Sequence, residues 1–200
     1  MRQLFILLGI SLSINFYCQT AEDYYTSGNT KRDSNNFQGA ILDYSSVIEM
    51  NPKSIKAYCN RGKCKLNLGD YQGAIQDYTK AIELNPKYAK AYSLRGECKV
   101  DFKDYKGAIQ DLNKAIELDS KDYWVYYNLG NAEIGLENYQ GAISDYTKAL
   151  VLNPKDALVF IARGNTKNKL GDKNGACMDW SKAGELGNSS AYELINKYCK

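Results

Sequence analysis

At 200 residues, 44% of them apolar and 24% charged, the chain lies in the range of folded, soluble proteins, and nothing in its composition argues for disorder. A formal charge of +3 spread along the length offers no clustered basic face, so nucleic acid is not an expected partner. Histidine is absent, which removes the usual general base and the commonest metal ligand.

The first element differs from everything after it. Met1, Arg2 and Gln3 carry one positive charge, Leu4 to Phe16 carry none, and small residues follow at Cys18, Thr20 and Ala21. This is the pattern of a secretory signal peptide over residues 1–20, with cleavage after Cys18, Thr20 or Ala21 all open. The apolar run falls short of the roughly 20 residues that a membrane span needs, so removal is expected and no stable span remains afterwards. Lipidation of Cys18 is disfavoured, because Tyr17 stands where bacterial lipoboxes usually carry Gly, Ala or Ser. The expected location is outside the cytoplasm: periplasmic, envelope-associated or secreted. In such an oxidising compartment Cys59, Cys64, Cys98, Cys177 and Cys199 must be read with disulfides in mind, and their odd number leaves at least one thiol free or paired with another chain.

From residue 21 onward the chain repeats itself. The stretch Tyr71 to Lys87 recurs almost verbatim at Tyr105 to Lys121 and Tyr139 to Lys155, more loosely at Phe37 to Lys53, and in eroded form at Lys173 to Asn188. The alanine of its Gly-Ala pair falls at Ala40, Ala74, Ala108, Ala142 and Ala176, each step being 34 residues. A constant period of that size implies a stack of identical supersecondary units. Within the central copy Tyr71, Ala74, Ile75, Tyr78, Ala81 and Ile82 recur at helical spacing, and Asn85-Pro86 stops the pattern. The preceding half, Ile55 to Leu68, predicts another helix carrying Tyr58, Gly62, Cys64 and Leu68 inward, with Gly69-Asp70 as the turn. Gly62 has equivalents at Gly28, Gly96, Gly130 and Gly164. A mid-helix glycine costs on the order of 1 kcal/mol against alanine, which makes sense where a neighbouring helix must come close, and Ala74 and its equivalents are the expected opposing surface.

Tyr58, Gly62, Ala74, Tyr78, Ala81 and Pro86 occupy the offsets at which the tetratricopeptide repeat (TPR) has its aromatic, Gly, Ala, aromatic, Ala and Pro, and the chain resembles that family over nearly all of its mature length. The resemblance implies an all-α solenoid of five helix-turn-helix repeats, 21–54, 55–88, 89–122, 123–156 and 157–190, with residues 191–200 as a short C-terminal capping helix. Departures from the family pattern place charges at helix-packing positions: Arg61, Arg95 and Arg163 at offset 7; Lys31, Lys65, Lys99 and Lys167 at offset 11; Asp43, Asp77, Asp111, Asp145 and Asp179 at offset 23. Charges there must be paired. Pairing from one repeat to the next leaves fewer mismatches than pairing within a repeat, since Asp43 then meets Arg61, Asp77 meets Arg95, Asp145 meets Arg163 and Asp179 meets Lys197. Asp111 alone would face Leu129, with Lys99 or another nearby cation serving it. The cap is expected to be tied by Cys177 to Cys199, on helices that stack.

No catalytic residue, metal site or cofactor is expected. The charged set recurs in every unit without another reactive group, Cys64 and Cys98 share an offset filled by Ala132 in repeat four, and no Cys-x-x-Cys pair, phosphate loop or nucleophile elbow occurs. In the resembling family, offsets 2, 5, 6, 9, 12 and 13 line a concave groove. Here they carry Tyr25 and Asn29; Lys56, Cys59, Asn60 and Lys63; Lys90 and Glu97; Trp124, Tyr127, Asn128 and Asn131; then Asn165 and Lys169. Asparagine suits a peptide backbone and Trp124 suits an aromatic anchor, so the expected ligand is a peptide or helix across repeats two to four. The five-residue clamp with which some family members hold a terminal carboxylate is matched by Asn29, Asn60 and Lys90 but broken by Tyr25 and Leu94. The resulting expectation is a non-catalytic adaptor for a protein or peptide partner; after it come a structural or self-associating envelope-assembly component, then a thiol-dependent redox role or enzyme. Intact-mass measurement of the exported protein checks the location: the mature chain is expected to lack Leu4 to Phe16, and a mass that includes Met1 overturns it.

Overall fold

A computed structural model of the chain describes residues 19–119 and 121–199, and the expected signal segment lies, up to position 18, outside the described residues. These residues form eleven α-helices and no strand: α1 (Ala21–Asp33), α2 (Phe37–Met50), α3 (Ile55–Asn67), α4 (Tyr71–Leu84), α5 (Ala89–Asp101), α6 (Tyr105–Leu118), α7 (Tyr123–Gly135), α8 (Tyr139–Leu152), α9 (Ala157–Lys169), α10 (Lys173–Glu185) and α11 (Ser190–Tyr198). Helices pack in antiparallel pairs, α1 with α2 through α9 with α10, and each pair stacks on the next. First helices also touch across repeats, α3 with α5 and α5 with α7, so they form the inner wall of the solenoid.

Each second helix starts with the same cap. Asp70 accepts a bond from the Gly73 amide at 2.9 Å, and Asn36, Asp104, Asn138 and Asp172 do likewise three residues ahead of Gly39, Gly107, Gly141 and Gly175. Just before the cap the backbone turns left-handed, with φ of 78° at Gly69 and 86° at Gly171 but 61° at Asn35, 64° at Lys103 and 60° at Glu137. The last two accept a strain of roughly 1–2 kcal/mol that glycine avoids.

The glycine column works as expected, but its opposing surface is different. A Cβ on Gly62 would lie 2.7 Å from the Tyr78 ring, on Gly96 2.7 Å from Leu112, and on Gly164 2.7 Å from Trp180, while the nearest alanine atoms are the Ala108 and Ala176 carbonyls at 3.4 and 3.2 Å. The large side chain at offset 24 therefore dictates the glycine, and alanine only lines the flank. Leu68, expected inward, is 50% exposed, because it is the residue that ends α3 at the turn.

The charged columns pair within repeats, contrary to the forward pairing expected from the sequence. Arg61 binds Asp77 through Nε at 3.0 Å and Nη2 at 2.6 Å, and Lys65 reaches the same carboxylate at 2.8 Å. Arg95 and Lys99 hold Asp111, and Arg163 and Lys167 hold Asp179, so Lys197 is not the partner of Asp179. The physical reason is the antiparallel packing inside a pair, which brings offsets 7 and 11 of the first helix against offset 23 of the second and uses both carboxylate oxygens. What does cross the repeat boundary is the remaining guanidinium nitrogen: Arg61 donates to Ser45, Arg95 to Thr79 and Arg163 to Thr147, each at 3.0 Å. Repeat one pairs Asp43 with Lys31 at 2.7 Å. Repeat four lacks both cations, having Leu129 and Glu133 instead, and Asp145 reaches only Lys148 at 3.1 Å.

At the C-terminus α11 packs on α10, with Ala191 buried and the Tyr192 hydroxyl donating to the Gly184 carbonyl at 3.2 Å. Cys177 and Cys199 are joined as a disulfide, their Cα atoms 5.8 Å apart, while Cys59, Cys64 and Cys98 are free and buried.

The two kinds of aspartate respond oppositely to the same substitution. Burial, with Glu133 adding to it and Lys148 opposing, raises the Asp145 carboxyl above its ordinary value. A raised carboxyl holds its proton more tightly in the folded state, so its charge costs stability at neutral pH and the cost fades as pH falls through the folded value. Asp145→Asn is therefore expected to raise the melting temperature at pH 7, with the gain shrinking on acidification. Asp111→Asn strips Arg95 and Lys99 of their partner and is expected to destabilise by about 2 kcal/mol, below the range for fully buried pairs because both cations keep some contact with water. Thermal melts of both variants across pH check the contrast.

Candidate functional site

The inner wall is built by α1, α3, α5 and α7. Tyr25, Lys56, Cys59, Asn60, Lys63, Tyr88, Lys90 and Leu94 surround a pocket of about 270 Å³. A second of about 440 Å³, sharing Lys63, Lys90 and Leu94, adds Arg32, Leu66, Glu97 and Trp124. The structure thus brings Tyr25, Asn60, Lys63, Lys90 and Trp124 into one continuous groove. Trp124 is half-buried and stacks on Tyr127 with ring centroids 4.6 Å apart, so its indole is held in place from behind.

The other expected residues are engaged with their own scaffold. Asn29 accepts from the Tyr44 hydroxyl at 2.8 Å, Asn131 from Tyr146 at 2.7 Å and Asn165 from the Trp180 indole at 3.1 Å. Asparagine at offset 9 is therefore the partner of the large polar aromatic at offset 24, a pairing visible as two matched columns of the sequence that the reading of individual motifs missed. Tyr127 packs against Tyr146 at 5.8 Å and belongs to the core under α8. Asn60 donates to the Tyr25 hydroxyl at 3.0 Å and to Asn29 at 3.3 Å, so the joint between repeats one and two closes with its own bonds.

Further along, the same positions are left open. Repeat two has Lys63 at offset 9, and an ammonium has no acceptor to offer a hydroxyl; the buried Tyr78 hydroxyl has no hydrogen bond. At the joint of repeats three and four Asn128 is the counterpart of Asn60 and Ser93 that of Tyr25, but serine is too short to meet the amide. Asn128 Nδ2 and Ser93 Oγ, in residues 4% and 2% exposed, are both without a partner. Glu97, the counterpart of Asn29, lines the same pocket as Trp124, Lys63 and Lys90; burial raises its carboxyl, against the opposing pull of those three groups. Lys63 is pulled below its ordinary value by burial and by Lys90 and Arg32, with Glu97 acting the other way. Arg32 and Leu94 are groove residues that the sequence reading did not put forward as part of a binding site.

Burial pushes the free thiols up, to about 11 at Cys59 and Cys64 and about 12 at Cys98, so none is poised as a nucleophile.

An exchange at offset 9 tests this account of the wall. Lys63→Asn gives Tyr78 the acceptor its counterparts enjoy and is expected to stabilise by about 1 kcal/mol, whereas Asn131→Ala orphans the Tyr146 hydroxyl and is expected to cost about 1–2 kcal/mol. Equilibrium denaturation of the two variants measures both signs.

The family model for the tetratricopeptide repeat matches residues 55–88 and 123–156, and a related TPR repeat model matches 101–135. A search of curated proteins returned no match. Among solved structures, a crystal structure of MamA is 26% identical with a TM-score of 0.71, covering 90% of this chain and 96% of that one. PilF of Pseudomonas aeruginosa is 20% identical with a TM-score of 0.79, covering 88% and 80%. YrrB is 19% identical with a TM-score of 0.68, covering 90% and 93%. With a 34-residue period, paired helices stacked into a solenoid and these matches, the chain belongs to the tetratricopeptide repeat family.

Proposed function

We propose that the protein is a non-catalytic interaction adaptor that holds a peptide or helix of a partner protein in the groove formed by α3, α5 and α7. The observation that carries this is Trp124: a half-buried indole, held from behind by Tyr127, that lines with Lys63, Lys90 and Leu94 a pocket of about 440 Å³. YrrB, described as a TPR protein with an unusual peptide-binding site, shares the fold and supports the reading to that extent.

The location belongs to the same proposal: an exported protein working in the periplasm, at the envelope or outside the cell. Its support is the charge-then-apolar pattern of residues 1–20, together with the Cys177–Cys199 disulfide, which suits an oxidising compartment. No helix of the described residues is long and apolar enough to cross a membrane.

Peptides selected on the intact chain from a displayed random library serve as probes. Trp124→Ala is expected to weaken the selected binders by about 2 kcal/mol, roughly thirtyfold, with helicity unchanged. Asn128→Ala is expected to weaken them by a smaller amount. Undiminished affinity in both variants places the functional surface outside the groove.

A further inference from the structure

The groove walls differ in charge from what packing alone requires. Arg32, Lys56, Lys63 and Lys90 face the two joined pockets, against the single carboxylate of Glu97. Among the described residues Lys56 and Lys63 form no salt bridge, while Lys90 meets Asp122 at the rim at 3.3 Å and Arg32 meets its exposed neighbour Asp33 at 2.9 Å. Lys63 is the instructive one. Repeats one, four and five place asparagine at its offset and satisfy the aromatic opposite; repeat two gives up that bond and leaves the Tyr78 hydroxyl, fully buried, without a partner. A half-buried ammonium set among other cations destabilises the free protein twice over, through desolvation and through like-charge repulsion. A departure from a chain's own repeating rule that lowers stability, at a surface where other cations lie open, is the mark of a functional position.

Resting on the groove reading above, we infer that the occupant is an acidic, extended internal segment of a partner protein. One of its Asp or Glu side chains sits between Arg32, Lys63 and Lys90, which line one pocket. Charge complementarity selects the acid: a carboxylate supplies acceptors to three cationic groups that have donors only, and the bonds are charge-assisted. Trp124 lines the same cationic pocket, so its indole packs against the segment beside the bound carboxylate. Leu66 and Leu94 in the same pocket offer an apolar floor for the methylenes of that side chain. The two walls of the segment's track are thus different in kind, cations on α1, α3 and α5, an indole on α7.

The experiment is selection from random peptides displayed as internal loops, with a parallel library displayed with free C-termini. The baits are the intact chain, Lys63→Asn with Lys90→Gln, and Trp124→Ala. Loop-displayed binders of the intact chain are expected to be rich in Asp and Glu. The double variant is expected to lose that enrichment and to bind the acidic peptides about tenfold more weakly or worse, with the difference shrinking in high salt. Lys63→Asn is expected to stabilise the fold and Lys90→Gln removes only the rim ion pair with Asp122, and a thermal melt of the double variant separates loss of binding from unfolding. Binders that need Trp124 but show no acidic bias overturn the acidic assignment and leave the groove reading standing. Enrichment only among free C-termini overturns the internal segment. Binders indifferent to Trp124, or none at all, remove both readings.

Discussion

Everything in this solenoid hangs on one close contact, the edge of a large side chain at offset 24 against a glycine at offset 8. Tyr78 on Gly62 sets how near the two helices of a repeat lie, and that distance then brings the Arg61 guanidinium within reach of both oxygens of Asp77. The same approach lets the aromatic's polar tip arrive at offset 9 on the far side of the first helix, where Asn29 and Asn131 take it up. A methyl group in place of the glycine hydrogen would push the helices apart and loosen the ion cluster and the inner wall together. Dispersion, electrostatics and hydrogen bonding are thereby tied to a single steric fact.

Because the unit is repeated, its exceptions are informative. Repeat four drops both cations that serve the buried aspartate, yet keeps Asp145, at a cost the carboxyl shows by holding its proton more firmly. Repeat two keeps its ion cluster intact but replaces the wall asparagine with Lys63. The first exception lies outside both groove pockets, and nothing in the structure explains it; the second faces the groove and comes with cationic neighbours. Loss of stability alone therefore does not identify a site. Loss of stability at a surface that other unpaired groups share does.

The fold was readable because its signal is periodic: a 34-residue spacing of Gly62, Ala74, Tyr78 and their equivalents constrains every helix at once. The cap was readable for the same reason, with Cys177 and Cys199 placed by counting along the repeat. Side-chain partnerships were harder. Counting matches between the Asp and Arg columns favoured a link to the next repeat, and it failed since a tally of residue types ignores which faces an antiparallel pair brings together and treats a lysine such as Lys65 as idle. The groove was found in outline, but Asn29, Asn131 and Tyr127 proved to serve the packing of Tyr44 and Tyr146. Orphaned groups like Ser93 and Asn128 cannot be recognised until distances are known, because being unpaired is a property of neighbours and not of residue type.

The disulfide at one end gives the molecule a polarity in time as well as in space. A stack whose units touch only their neighbours loses order from its ends inward, like a zipper with two sliders. Cys177–Cys199 locks the slider at α10 and α11, whereas the opposite end carries Lys31 alone against Asp43, without an arginine. Opening is therefore expected to begin at α1 and α2 rather than at α10 and α11. The joint that Asn60, Tyr25 and Asn29 stitch shut fastens α1 to α3, so the same bonds that hold the first repeat keep its Arg32 beside Lys63 in the groove.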